Sequence, residues 1–186
     1  MRKAECGVQN YPEIAVTNRH ICAGDFLAQI EKIAARRPWA ILLREKDLPP
    51  EEYASLARKA SECCAGYGVP LIAHTHPAEA CGRLHVPFAQ CSSALARQYR
   101  LSVSVHSLDE ARQAAEFGAD FLIAGHIFPT DCKPGVPARG LDFLRDLCAG
   151  VSVPVFAIGG ITGETAPLCL AAGAAGICRM SYWMTQ

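Results

Sequence analysis

The sequence predicts an α/β chain folded as a closed barrel of eight parallel strands with helices outside, on three observations. Eight short apolar runs recur along the chain, stretches with apolar residues at three- and four-residue spacing separate them, and glycine closes several of those stretches before the next run. Strands alternating with helices pair in parallel through right-handed crossovers. Eight such units in 186 residues close into a (β/α)8 barrel more readily than they spread into an open sheet. The chain, 1–186, is therefore read as one compact TIM-barrel domain, shorter than the roughly 250 residues usual for that fold.

Taken in order, the strand runs are EIAVT (13–17), WAILLRE (39–45), PLIAH (70–74), RLHV (83–86), LSVSV (101–105), DFLIAG (120–125), VPVFAIGG (153–160) and AGICRM (175–180). The helical stretches are DFLAQIEKIAAR, PEEYASLARKASECCAGYG, SLDEARQAAEFG, LDFLRDLCAG and TGETAPLCLAAG. Gly66 or Gly68, Gly118, Gly150 and Gly173 are placed as stops, and Ser107 and Thr162 or Thr165 as N-caps. The third and fourth units are short, because HTHPAEACGRLHV leaves little room for a helix. Only SYWMTQ follows the last strand, so the eighth helix is abbreviated or absent, an arrangement compatible with a homodimer that covers this end.

Composition excludes some classes of partner. Lys+Arg and Asp+Glu both number 18, so no global field points to nucleic acid or to an anionic membrane, and the expected partner is a small molecule. The ten cysteines include no CxxC and no zinc-like pairing with histidine, which fits a reducing cytoplasm. MRKAECGVQN has no apolar core of a leader, and no run approaches about 18 apolar residues, so a soluble cytoplasmic protein is expected.

In such a barrel the C-terminal strand ends share one mouth. Those ends are Thr17; Arg44 and Lys46; His74 and His76; His85; Ser104 and His106; His126; Gly159 and Gly160; and Arg179 to Ser181. The Gly159-Gly160 pair lets backbone approach a phosphate, and with the N–H groups of Met180 and Ser181 it would form the phosphate cup common in these barrels; a plain tight turn is the other reading. Arg44 and Lys46 suit anion binding, against a surface charge run. His126 follows the turn made by Gly125 at the end of AGHIFPTDCK and can exchange protons near neutrality. Lys133 could fold back over the mouth as a further anion contact. No metal is called for: His74, His76, His85 and His106 match no known ligand spacing.

"IAVTN", "LLREKDL", "SVSVHSLDEARQAAEFGADFLIAGHIFPTDCK" and "VPVFAIGGI" together resemble the thiamine phosphate synthase and thiazole tautomerase superfamily over nearly the whole chain. The synthase branch has Asn-Asp-Arg after strand 3 and a further acid after strand 4, which hold the magnesium of a pyrophosphate leaving group. Here "IAHTHPAE" and "LHVPFAQ" stand in those places, and Leu42 replaces a glutamine two residues before the strand-2 arginine. After strand 6 that branch reads Gly-Pro-Ile-Phe, whereas this chain reads Gly125-His126-Ile127-Phe128, similar to the tautomerase branch, TenI. The resemblance implies a metal-independent, cofactor-free isomerase. In it His126 shifts a proton on the phosphorylated carboxythiazole made by thiazole synthase, giving the aromatic product used in thiamin biosynthesis. Two alternatives stand beside it: a thiamine phosphate synthase with unusual ligands, and a non-catalytic regulatory or ligand-binding TenI relative.

Overall fold

In the computed structural model, which describes residues 11–186, eight parallel strands close into a barrel in sequence order. Cys6 and the leader question raised by MRKAECGVQN lie outside these residues. The strands are β1 (Glu13–Val16), β2 (Ala40–Leu43), β3 (Leu71–His74), β4 (Arg83–Pro87), β5 (Arg100–Val105), β6 (Phe121–Gly125), β7 (Val155–Ile158) and β8 (Gly176–Arg179). Outside run α1 (Phe26–Ala35), α2 (Pro50–Ala65), α3 (Ser93–Gln98), α4 (Leu108–Glu116), α5 (Gly140–Gly150), α6 (Ala166–Ala171) and α7 (Ser181–Met184). Closure comes from β1 pairing with β8, Ala15 lying opposite Arg179.

Because side chains alternate along a strand, each strand feeds two cores. Ile14, Val16, Ala40, Leu42, Ile72, Phe121, Ile123, Phe156 and Cys178 fill the barrel interior. Their neighbours, such as Ala15, Ile41, Leu43, Leu101, Leu122 and Ile177, face the helices. Trp39 packs against Phe121 and Phe156 at the strand N-terminal end, with ring centroids 5.3 Å and 5.0 Å away.

The expected stops and caps hold in most places. Gly68, Gly118 and Gly173 have positive φ, and the Ser107 side chain accepts from Glu110 N–H. Thr162 and Thr165 cap reciprocally: each backbone N–H reaches the other's hydroxyl. Gly150 is different, being the last residue of α5 without positive φ. A Cβ there would lie 2.4 Å from Leu108 Cδ1, so it is a close-packing glycine rather than a stop. The short units also take definite form. Residues 75–82 cross from β3 to β4 without a helix, the next unit holds only the six-residue α3, and the last helix has four residues. Among the described residues, no helix is long and apolar enough to cross a membrane.

Candidate functional site

The LREKD segment shows how the mouth acquires its charge. Extended backbone after β2 sends alternate side chains to opposite faces. Glu45 turns outward and is buried, accepting hydrogen bonds from Thr17 Oγ1 at 2.6 Å and from Arg19 N–H at 3.1 Å. Asp47 pairs with Arg19 and with His20 Nε2, and the Arg19 guanidinium holds its carboxyl well below the usual range. With these acids tied outward, Arg44 and Lys46 have no ion-pair partner among the described residues. Burial lowers the Lys46 ammonium pKa, and the nearby positive charges of Arg44 and Lys133 lower it further.

His74 ends β3 on the same face as Ile72, in the barrel interior. Its ring lies 5.6 Å from that of His85, the residue opposite it on β4. His85 is 2% exposed and its two ring nitrogens meet Ser102 Oγ at 2.9 Å and Ser104 Oγ at 2.7 Å. Burial, reinforced by Arg44 and Lys46, pushes both imidazoles down to about 3, so both are neutral at physiological pH. Unfolding exposes them at about 6.5, where they take up protons, so the stability they hold is complete above that value and is lost as pH falls from about 6.5 toward 3. Denaturant titrations at pH 7.5, 6 and 5 should show stability falling on the order of 1 kcal/mol per pH unit below 6.5, and His85→Gln should flatten that slope.

His126 follows β6 and is 5% exposed. One ring nitrogen, Nε2, lies 3.1 Å from the Val136 carbonyl oxygen, which can only accept, so Nε2 carries the proton. Nδ1 is then the basic lone pair. It is buried and has no hydrogen-bond partner among the described residues. The segment 127–139 folds over this ring: Ile127 N–H donates to Ile158 O, Phe128 N–H to Gly159 O, and Arg139 N–H back to His126 O.

Gly159 and Gly160 have φ of 99° and 64° and lie directly beneath that segment. A Cβ on Gly159 would fall 2.3 Å from His126 Cβ, and one on Gly160 2.3 Å from Pro129 O. Gly159 thus makes room for His126 and Gly160 for the chain after it, and the N–H groups of Gly159, Gly160, Met180 and Ser181 meet no acceptor among the described residues. Gly159→Ala should cost about 1–3 kcal/mol in chemical denaturation and lower activity further than the stability loss explains, because it displaces His126.

Several strand ends lie elsewhere than in the mouth. Thr17 faces the helices and is spent on Glu45. Arg179 also points outward, where it pairs with Glu13 beneath α7. His106 is part-exposed and its N–H is held by Glu110 Oε2 at 2.6 Å, making it part of the start of α4. His76 packs edge-on to Tyr53 at 5.9 Å. The polar pocket of His85, Ser102 and Ser104 and the Tyr53 hydroxyl, which donates to Leu43 O and accepts from His74 N–H, both at 2.7 Å, were beyond sequence reading. The alternation in LSVSV was the one available signal, since it puts two serines on a single face.

Magnesium needs hard oxygen donors. At the ends of β3 and β4 stand His74, Thr75, His76, Pro87 and Phe88, and the Thr75 hydroxyl is engaged with His74 Nδ1. Among the described residues no three His, Cys, Asp or Glu side chains converge to hold a metal ion. These residues do not fit a magnesium–pyrophosphate site.

Residues 13–182 match the family described as TMP-TENI, thiamine monophosphate synthase. The chain belongs to the TMP-TENI family. A relative named thiamine-phosphate synthase 2 from Streptococcus pneumoniae is 33% identical over 173 residues, covering 87% of this chain and 82% of its own. A putative thiamine-phosphate synthase 2 from Aquifex aeolicus is 31% identical over 179 residues, covering 91% of this chain and 96% of its own. Among solved structures, the thiamine phosphate pyrophosphorylase from Pyrococcus furiosus superposes with a TM-score of 0.81 at 25% identity, covering 94% of this chain and 88% of its own. The TMP-TENI assignment makes the chain a member of a family of thiamin-biosynthetic enzymes. The names of these relatives favour the coupling reaction over the expected isomerisation.

Proposed function

We propose that this TMP-TENI protein is a thiazole tautomerase: it aromatises a phosphorylated carboxythiazole by moving one proton from a ring carbon to the exocyclic carbon. The observation that carries the reading is His126, whose Nε2–H is fixed on Val136 O and whose Nδ1 lone pair has no partner among the described residues. Nδ1 takes the proton from the ring carbon that bears the carboxylate, acidified by the conjugated imine. The imidazolium so formed delivers a proton to the exocyclic carbon, and aromatisation drives the shift. The substrate phosphate lies on the N–H groups of Gly159, Gly160, Met180 and Ser181. Arg44, Lys46 and Lys133 attract the anionic groups of the substrate and orient it. Since Nδ1 is buried, substrate reaches it when the 127–139 segment parts. The assembly expected is a soluble cytoplasmic protein, as a homodimer.

A second reading, coupling of thiazole phosphate to a pyrimidine pyrophosphate, is favoured by the names of the relatives. It is opposed by the absence of carboxylates after β3 and β4, where His74, Thr75 and Pro87 stand. Two parallel assays separate the readings: ultraviolet absorbance for aromatisation, and pyrophosphate release with both coupling substrates and Mg²⁺. Aromatisation without pyrophosphate release supports the tautomerase; the reverse result replaces it with the synthase.

A further inference from the structure

His74, Thr75 and His76 form a tight turn that the proton transfer leaves unused. His76 N–H donates to His74 O at 2.7 Å, a bond that spans a single residue. That residue, Thr75, holds φ at 65°, a conformation rarely adopted by β-branched side chains. Strain of this kind persists where surrounding contacts fix it. Here Thr75 N–H donates to His85 O at 2.8 Å, Tyr53 Oη receives His74 N–H, and Thr75 Oγ1 meets His74 Nδ1 at 2.8 Å. The first two contacts fix the backbone of the turn, and the third fixes the His74 ring through Nδ1, leaving its other nitrogen free. His74 Nε2 has no partner among the described residues, yet it is not sealed from solvent as His126 Nδ1 is.

The surroundings say what that atom would meet. Arg44 and Lys46 act on His74 as neighbouring positive charges, and the side chain beneath it, His85, is neutral and closed off by two serines. Among the described residues His74 forms no ion pair with a carboxylate. An imidazole between two cations and a neutral floor offers Nε2–H to an anion, with the Thr75 hydroxyl donating to Nδ1 to select that tautomer.

We propose that His74 is a substrate-contacting specificity residue, which with Arg44 and Lys46 forms a carboxylate subsite on the β2–β3 side of the mouth, across the barrel from the Gly159-Gly160 phosphate cup. This rests on the tautomerase reading for the ligand's identity, and it deepens it: the ligand accepted is the one carrying both a phosphate and a carboxylate.

Binding, which needs no turnover, tests it. Dissociation constants for the aromatic carboxythiazole phosphate and its decarboxylated counterpart are measured by calorimetry with wild type, His74→Ala and His74→Gln. Wild type should prefer the carboxylated ligand. His74→Ala should weaken that ligand alone by roughly 10- to 100-fold, the range for a hydrogen bond to a charged group. His74→Gln, which keeps an N–H near the Nε2 position and guards against a folding defect in the alanine variant, should recover most of the loss. Equal affinities in wild type, equal losses for both ligands, or failure of glutamine to rescue would each overturn the subsite. The two readings fail separately. A protein that aromatises substrate without preferring the carboxylate retains the function and loses this inference, whereas a His74-dependent preference without aromatisation does the reverse.

Discussion

Replacing His126 with alanine should lower kcat/KM for aromatisation by about 10²- to 10⁴-fold, the range contributed by a positioned general acid–base. Affinity for the product should change little. In the proposed complex His126 is one of several groups around the ligand, and the proposed phosphate contacts are backbone N–H groups that the substitution does not touch. The expected signature is therefore a fall in kcat with KM nearly preserved. His126→Gln should not rescue: an amide can occupy the space and even reach Val136 O, but it has no basic lone pair to take the proton. A small effect of His126→Ala on kcat would move the proton transfer to another group.

The largest loss of stability should come from the opposite wall of β1. Glu13 is 3% exposed and accepts from Arg179 Nε, Arg179 Nη2 and Trp183 Nε1, each at 2.6 Å. Arg179, 6% exposed, also stacks its guanidinium 3.6 Å from the centroid of Tyr182. This network ties β1 to β8, where the barrel closes, and ties the four-residue α7 to both strands. Glu13→Ala strands a buried guanidinium and an indole N–H, and should cost about 3–5 kcal/mol in equilibrium denaturation. Glu13→Gln should cost less, because it retains acceptors for part of the fork. If Glu13→Ala denatures like wild type, the barrel seam is held by packing alone.

The parts of this fold that were legible are those whose signal is local. Six of the eight apolar runs contain the whole strand that forms, and RLHV and LSVSV each fall one residue short of theirs, since burial on both faces demands continuous apolar sequence. Gly125-His126 showed itself as a break at the end of such a run. The Glu13–Arg179–Trp183 network could not be read in this way, because its members stand 166 and 170 positions apart and meet only when the barrel closes. Arg179 looked like a mouth residue for the same reason: nothing local tells which side of β8 it takes. α3 escaped notice because CSSALARQYR offers a single short turn of apolar spacing. The glycine pair at 159 and 160 was legible as a close approach, but not that Gly159 makes room for His126 and Gly160 for Pro129, because those neighbours come from the loop after another strand.

The most direct test of the central claim follows the ultraviolet absorbance of freshly made thiazole synthase product with wild-type protein, with His126→Ala and with buffer alone. The account predicts rapid aromatisation with wild type and a variant trace close to that of buffer. A wild-type trace that does not outpace buffer, in a protein that still binds phosphate ligands, would contradict it and leave a ligand-binding relative in its place.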